Sequence, residues 1–258
     1  MTQQVFEKKH HWFLVRGLAR EAGHWVDFQA RLKRAFPQAE IHCLDLVGSG
    51  VHRHETVPLS VGKFLDISRA DFLKAKKGSE GPAFVLGMSL GGMVVMEWIS
   101  RFPDDFQGAV MVNSSAKTFS LPWKRMHPKS LYGIFRASLS RTAEEREKRV
   151  LLNVARSEKR RAETLPHWIK VHEERPISRT AAIRQILAAS QFDPQVPPRH
   201  PKTLVLCGLG DEMVHPSCSV ALAKAWEGEL RNHPWGGHDL GVDDPDWIVE
   251  QLKTWNPL

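Results

Sequence analysis

Cysteine is scarce: Cys43, Cys207 and Cys218 are all that the 258 residues contain. An odd count, with neither C-x-x-C nor metal-ligand spacing, supports neither a disulfide framework nor a zinc site. Cys43 and Cys207 fall inside apolar runs and read as small core residues. Long apolar runs are also missing. No stretch reaches the ~18 residues needed to cross a bilayer, and Met1 to His10 carries charge without the apolar core of a secretory signal. The expectation is therefore a cytoplasmic chain with no membrane span. There is no P-loop, no dinucleotide fingerprint and no repeat, so neither a metal nor an organic cofactor is expected. At 42% hydrophobic content, the chain is long enough to bury the large core of one α/β domain.

Five short apolar runs punctuate the sequence: Trp12 to Val15, Ile41 to Leu44, Ala83 to Leu86, Ala109 to Val112 and Leu204 to Cys207. Each is apolar throughout rather than alternating, as in strands of a parallel sheet covered on both faces. A weaker strand candidate lies at Glu229 to Arg231. Helical stretches are expected near His24 to Phe36, Leu59 to Lys76, Met93 to Arg101, Ser217 to Trp226 and Pro245 to Trp255. Alternation of strand and helix implies right-handed crossovers and a doubly wound, mostly parallel sheet.

Gly87-Met88-Ser89-Leu90-Gly91 lies between the third run and its helix. A serine at so sharp a strand-to-helix turn takes a strained backbone, and glycines two before and two after it keep side chains from colliding there. Its hydroxyl is a weak nucleophile without a base, so a histidine and an orienting carboxylate should follow. Asp211 sits at the tip of the loop after Leu204 to Cys207, with Glu212 as the competing acid. His238, among the glycines of Trp235-Gly236-Gly237-His238, is the base candidate; His215 and His233 compete. The oxyanion of an acyl-transfer intermediate needs two donors. The backbone N–H groups of Leu90, directly after the serine, and of Leu18, in the turn after Val15, are the candidates.

The ordered Ser89, Asp211 and His238, with Arg16-Gly17 and the turn Asp45 to Gly50, resemble the α/β-hydrolase family, in its branch of small serine esterases with a helical cap. A looser similarity, through Ser89-Leu90-Gly91-Gly92 and Val112-Asn113-Ser114-Ser115, is to esterases that cleave a pimeloyl ester on an acyl carrier protein. The family usually carries histidine where this chain has Arg16. That guanidinium is open to two readings, a contact to an acidic substrate group or an ion pair with a neighbouring loop carboxylate. The family also often opens with two antiparallel strands, for which the ten residues before the first run leave little room.

Between Ser115 and Val196 the strand rhythm stops, giving a core of residues 1–114 and 197–258 and a helical cap of 115–196. The cap holds 17 Lys and Arg against 8 Asp and Glu, and the remainder 19 against 21. All of the net positive charge therefore resides in the cap. Arg149, Arg156, Lys159, Arg160 and Arg161 fall at helical spacings that bring several onto one face. They read either as a solvated face or as a surface for an anionic partner such as an acidic acyl carrier protein; no nucleic-acid motif accompanies them. Trp123, Tyr132, Phe135, Trp168 and Ile169 are expected to wall an acyl pocket or pack the cap on the core, and Met88 to line the pocket beside the serine.

The sequence thus points to a serine hydrolase acting on a small-molecule ester through an acyl-enzyme. Thioester or carbon–carbon bond hydrolysis and acyl transfer share the same machinery. A ligand-sensing protein that keeps the fold without turnover is the rival reading.

Overall fold

The computed structural model describes residues 8–255. Six strands form one sheet in the order β2-β1-β3-β4-β5-β6, with every neighbouring pair parallel. They are β1 (His10–Val15), β2 (Ala39–Leu44), β3 (Ala83–Met88), β4 (Gly108–Val112), β5 (Lys202–Gly208) and β6 (Glu229–His233). The strand expectations hold, with one to three residues added to each. A leading antiparallel ribbon would fall largely on residues 1–7, outside the described residues.

Side-chain alternation divides the core into two layers. Trp12, Leu14, Phe84, Leu86, Val110 and Leu204 face one way, onto α1 (Phe28–Ala35), the short α10 (Leu240–Asp243) and α11 (Pro245–Thr254). Phe13, Val15, Val85, Ala109, Met111 and Val205 face the other, onto α2 (Val61–Lys76), α3 (Leu90–Arg101) and α9 (Ser217–Ala225). One helix expectation needs correction. His24 to Phe36 is not continuous, because Ala22–Trp25 forms a 3-10 turn and Val26, at φ 51°, turns the chain before α1 begins.

Five helices are inserted between β4 and β5: α4 (Pro122–Arg125), α5 (Pro128–Ser138), α6 (Ala143–Val154), α7 (Glu158–Glu174) and α8 (Arg179–Gln191). Local chemistry sets their starts. Proline occupies the first turn of α4 and α5, where no N–H is needed, and the hydroxyls of Thr142, Ser157 and Ser178 cap α6, α7 and α8 by accepting from the N–H groups of Glu145, Arg160 and Ala181. Leu151, Val154, Ala155 and Trp168 of the insertion pack on Met213 and Val214, in the loop after β5, and on Val242, in the short helix after β6. Gln185 of α8 fastens it to the other side: its Nε2 donates to the Val47 carbonyl at 2.9 Å and its Oε1 accepts from the Ala19 N–H at 2.9 Å. Among the described residues no helix is long and apolar enough to cross a membrane.

The sheet order reverses between β1 and β3, and in open parallel sheets that switch point leaves a crevice at the carboxyl ends of the strands. The turn after β1 and the turn after β3 meet there.

Candidate active site

Ser89 stands between the last residue of β3 and the first of α3, at φ 54° and ψ −116°. Its N–H donates to the Val112 carbonyl at 2.8 Å, and its own carbonyl accepts from the Ser114 hydroxyl at 2.8 Å. The flanking glycines are sterically required. A Cβ on Gly87 would lie 2.3 Å from the Gly91 carbonyl oxygen, and one on Gly91 would lie 2.3 Å from that of Val15. With backbone on both sides the strained turn is held in place, and the serine side chain is left to project.

Three loops bring the expected side chains together. Asp211 follows β5, and its Oδ1 accepts from the N–H groups of Met213 and Val214 at 2.8 and 2.9 Å. Its Oδ2 lies 2.8 Å from His238 Nδ1, and His238 Nε2 lies 2.9 Å from Ser89 Oγ. The competing residues are elsewhere. Glu212 points outward, with 60% of its side chain exposed, toward Lys129 and Arg156. His233 contacts Asp244 and accepts from the Gly236 N–H, and His215 contacts Ser217. Burial draws the imidazolium form of His238 down, but the adjacent Asp211 carboxylate, by charge and hydrogen bond, and Asp239 outweigh it, so its pKa stands above the ordinary 6.5.

Two further residues hold this geometry and were not singled out from the sequence. Asn113, directly after β4 and at φ 46°, donates from Nδ2 to the carbonyls of Gly237 and His238 at 2.9 and 2.8 Å, while its Oδ1 accepts from the Gly208 N–H at 2.8 Å. It thereby ties the histidine loop to the end of β5, from which the Asp211 loop departs. Asp243 does the same between the histidine loop and the insertion: its carboxylate accepts from the N–H groups of Gly237, Arg156 and Ser157 at 2.7 to 2.8 Å. The signal available for Asn113 was the polar run Asn113-Ser114-Ser115 at the carboxyl end of an apolar strand.

Arg16 follows β1. Its Nη2 and Nη1 donate to the two carboxylate oxygens of Asp239 at 2.5 and 3.2 Å, and its guanidinium carbon lies 4.7 Å from the ring centroid of Trp25. The ion-pair reading of Arg16 is the one observed, and it places a neutralised pair next to His238. At Gly17 a Cβ would lie 3.1 Å from that of Ser89 and 3.7 Å from the Leu90 nitrogen, so the turn carrying Leu18 is pressed against the serine.

Two open clefts meet at Ser89 and Leu18. The larger, of about 880 Å³, includes Met88, Ile134, Val150, Trp168 and His238 in its wall. The smaller, of about 650 Å³, is lined by Leu90, Met93, Met126, Ile186 and Val214 among others. Met88 and Trp168, expected to line a pocket beside the serine, are in the wall of the larger cleft. Trp123 is not: it is 59% exposed and lines neither cleft, and Tyr132 and Phe135 are as exposed. They lie on the solvent side of α4 and α5, while Met126, just after α4, and Ile134 and Ala137 of α5 line the larger cleft.

The basic cluster also needs correction, because most of it is not a free face. Arg156 Nε donates to the Gly210 carbonyl at 2.9 Å and its Nη2 pairs with Glu212. Arg160 donates to the Val242 carbonyl and pairs with Asp27 and Glu163. Arg161 donates to the carbonyls of Ala155 and Arg156. Only Lys159, 84% exposed, stands out in solvent. One group of three potential metal ligands, His11, Glu40 and His42, occurs among the described residues, at the opposite ends of β1 and β2 from Ser89.

Solved structures share this architecture. An α/β-hydrolase fold protein from Chitinophaga pinensis superposes with a TM-score of 0.72 at 20% identity, covering 95% of this chain and 88% of its own. A thermophilic esterase from Thermogutta terrifontis gives 0.68 at 19% identity, covering 96% and 89%. An esterase from Rhodococcus sp. ECU1013 gives 0.69 at 18% identity, covering 96% and 90%. None of the curated protein sequences compared with the chain matches it. The model of the alpha/beta hydrolase family matches residues 12–251, from within β1 through β6 and including all three residues of the Ser89 relay, and the chain belongs to that family.

Proposed function

We propose that the protein is a serine hydrolase of carboxylic esters. The observation that carries this reading is the unbroken relay from Asp211 through His238 to Ser89, with contacts of 2.8 and 2.9 Å. Ser89 Oγ attacks the ester carbonyl as His238 Nε2 removes its proton. Asp211, hydrogen-bonded to His238 Nδ1–H, fixes the tautomer and stabilises the imidazolium that forms. The N–H groups of Leu90 and Leu18 hold the oxyanion; the close approach of the Gly17 turn to Ser89 supports the second donor. His238 then protonates the departing alcohol, and water, activated by the same imidazole, releases the acid from Ser89.

The two clefts that share Ser89 suit the two halves of an ester, and the helices between 115 and 196 act as a cap over them. The acidic acyl carrier protein considered from the basic cap finds less support, since Arg156, Arg160 and Arg161 are engaged within the chain. A small-molecule ester is the substrate that the clefts suit. The test is hydrolysis of p-nitrophenyl esters of increasing chain length by the wild type and by Ser89→Ala. Turnover that disappears in a folded Ser89→Ala protein is expected. No turnover of any ester, or turnover that survives the substitution, contradicts the reading and leaves the ligand-sensing alternative in its place.

A further inference from the structure

The larger cleft is apolar over most of its wall, yet Arg16, Arg20 and Arg146 are also among the residues that line it. Their circumstances differ. Arg16 is charge-paired with Asp239, which accepts from both of its Nη atoms and leaves only its buried Nε without a partner. Arg20 and Arg146 share a single counter-charge. Arg20 Nη1 donates to Glu147 Oε2 at 2.7 Å, and Arg146 Nη1 donates to Glu147 Oε1 and, at 3.1 Å, to His172 Nδ1. Glu147 is fully buried, so both of its oxygens are committed.

The neighbouring titratable groups do not change this balance. His172 accepts through Nδ1, and burial and the Arg146 charge push its pKa down, so it is neutral. His24, edge-on to Trp168, is pushed well below 6.5 by burial and then by Arg20, Arg16 and Arg146. Asp211 serves His238, and Glu21 pairs with Arg175. Two permanent positive charges therefore face one negative at this end of the cleft. The donors are unspent as well: neither Nε nor Nη2 of Arg20 or Arg146 has a hydrogen-bond partner among the described residues. Arg20 is held with its guanidinium carbon 4.5 Å from the Trp168 ring centroid. A second positive charge sharing one carboxylate beside an apolar wall favours an added anion, and a planar fork with free N–H groups is the geometry that a carboxylate accepts.

We propose that the Arg20–Arg146 end of the cleft is a subsite for a carboxylate, so that the substrate is an ester whose acyl portion carries an anionic tip. This rests on the proposed attack by Ser89 and moves the acidic-group contact considered for Arg16 to its two neighbours in the cleft. An apolar chain runs past Met88 and Trp168, and the tip engages the guanidinium pair.

The experiment compares p-nitrophenyl half-esters of dicarboxylic acids, from succinate to suberate, with p-nitrophenyl esters of neutral acids of the same length. At the best length the wild type is expected to favour the carboxylate-tipped ester by about 10- to 100-fold in kcat/KM, the range that one charge-assisted hydrogen bond supplies. The advantage should shrink as salt is added. Arg20→Gln and Arg146→Gln should each collapse the ratio of the two rates, and the wild-type ratio decides the matter if either variant fails to fold. Preference for the neutral ester at every length overturns the subsite, as does preference for a phosphate-tipped ester over the carboxylate. If no ester is turned over, the hydrolase reading fails while the subsite is still tested by calorimetry with the free dicarboxylates. Binding that Arg146→Gln abolishes supports it, and absence of binding at every length overturns it.

Discussion

Replacing Asn113 by alanine should damage stability and turnover together. The Asn113 side chain is buried and satisfies three backbone groups at once: the carbonyls of Gly237 and His238 and the N–H of Gly208. Asn113→Ala strips all three of their partner. At the lower end of about 1–3 kcal/mol for each buried group left unmet, the loss is about 3–5 kcal/mol, which for a chain of this length lowers Tm by roughly 6–20 °C. Freed from β5, the loop that carries His238 loses its fixed position. A displacement of about 1 Å at a reacting group costs on the order of 10²-fold in rate. Asn113→Asp separates shape from bonding: it fills the same volume and still accepts from Gly208, but sets an oxygen against the Gly237 and His238 carbonyls. It should therefore fail nearly as badly. Thermal unfolding and kcat/KM on a p-nitrophenyl ester provide the assay. An Asn113→Ala protein melting within about 2 °C of wild type with kcat/KM within about threefold would refute the latch, since such changes are those of an ordinary surface site.

Because His238 must be neutral to act as base and its pKa lies above 6.5, kcat/KM should fall as pH drops through that raised value. Asp239→Asn removes a charge that raises it and unmasks Arg16, which lowers it, so the acid limb should move to lower pH; an unmoved limb contradicts the assignment. Arg16→Met leaves Asp239 as a buried, unpaired carboxylate and should cost about 3–5 kcal/mol in unfolding experiments, part of it recovered by adding Asp239→Asn. Reversing Arg156, Arg160 and Arg161 to glutamate should lower Tm and the rate on a small neutral ester, because these side chains bind the carbonyls of Gly210, Val242 and Ala155. Lys159→Glu alone should change Tm by no more than about 2–4 °C, the effect of at most ~1 kcal/mol from an exposed pair. Equal effects of the two variants would mean that the carbonyl contacts contribute nothing.

The nucleophile turn was legible because its requirements are local: an apolar run, two glycines at fixed offsets and a helix-forming stretch all lie within Ala83 to Arg101. Asp211 and His238 were legible by order along the chain. Asn113 was not, since its role exists only where residues 113, 208 and 237 converge, and the polar run Asn113-Ser114-Ser115 marks a strand end without showing what it binds. The basic insertion misled for a related reason. Sequence displays charge but not the partners that consume it, and Arg156 and Arg160 find theirs in the loops after β5 and β6. Trp168 and Trp123 look alike in sequence; which faces the cleft depends on how each helix docks.

Ser89 can be tested directly by fluorophosphonate labelling followed by mass spectrometry of the modified peptide. Rapid, stoichiometric modification of Ser89 is expected, slowed by orders of magnitude in His238→Ala and absent in Ser89→Ala. A folded wild-type protein that does not react, or a label found on another residue, would contradict the relay from Asp211 through His238 to Ser89.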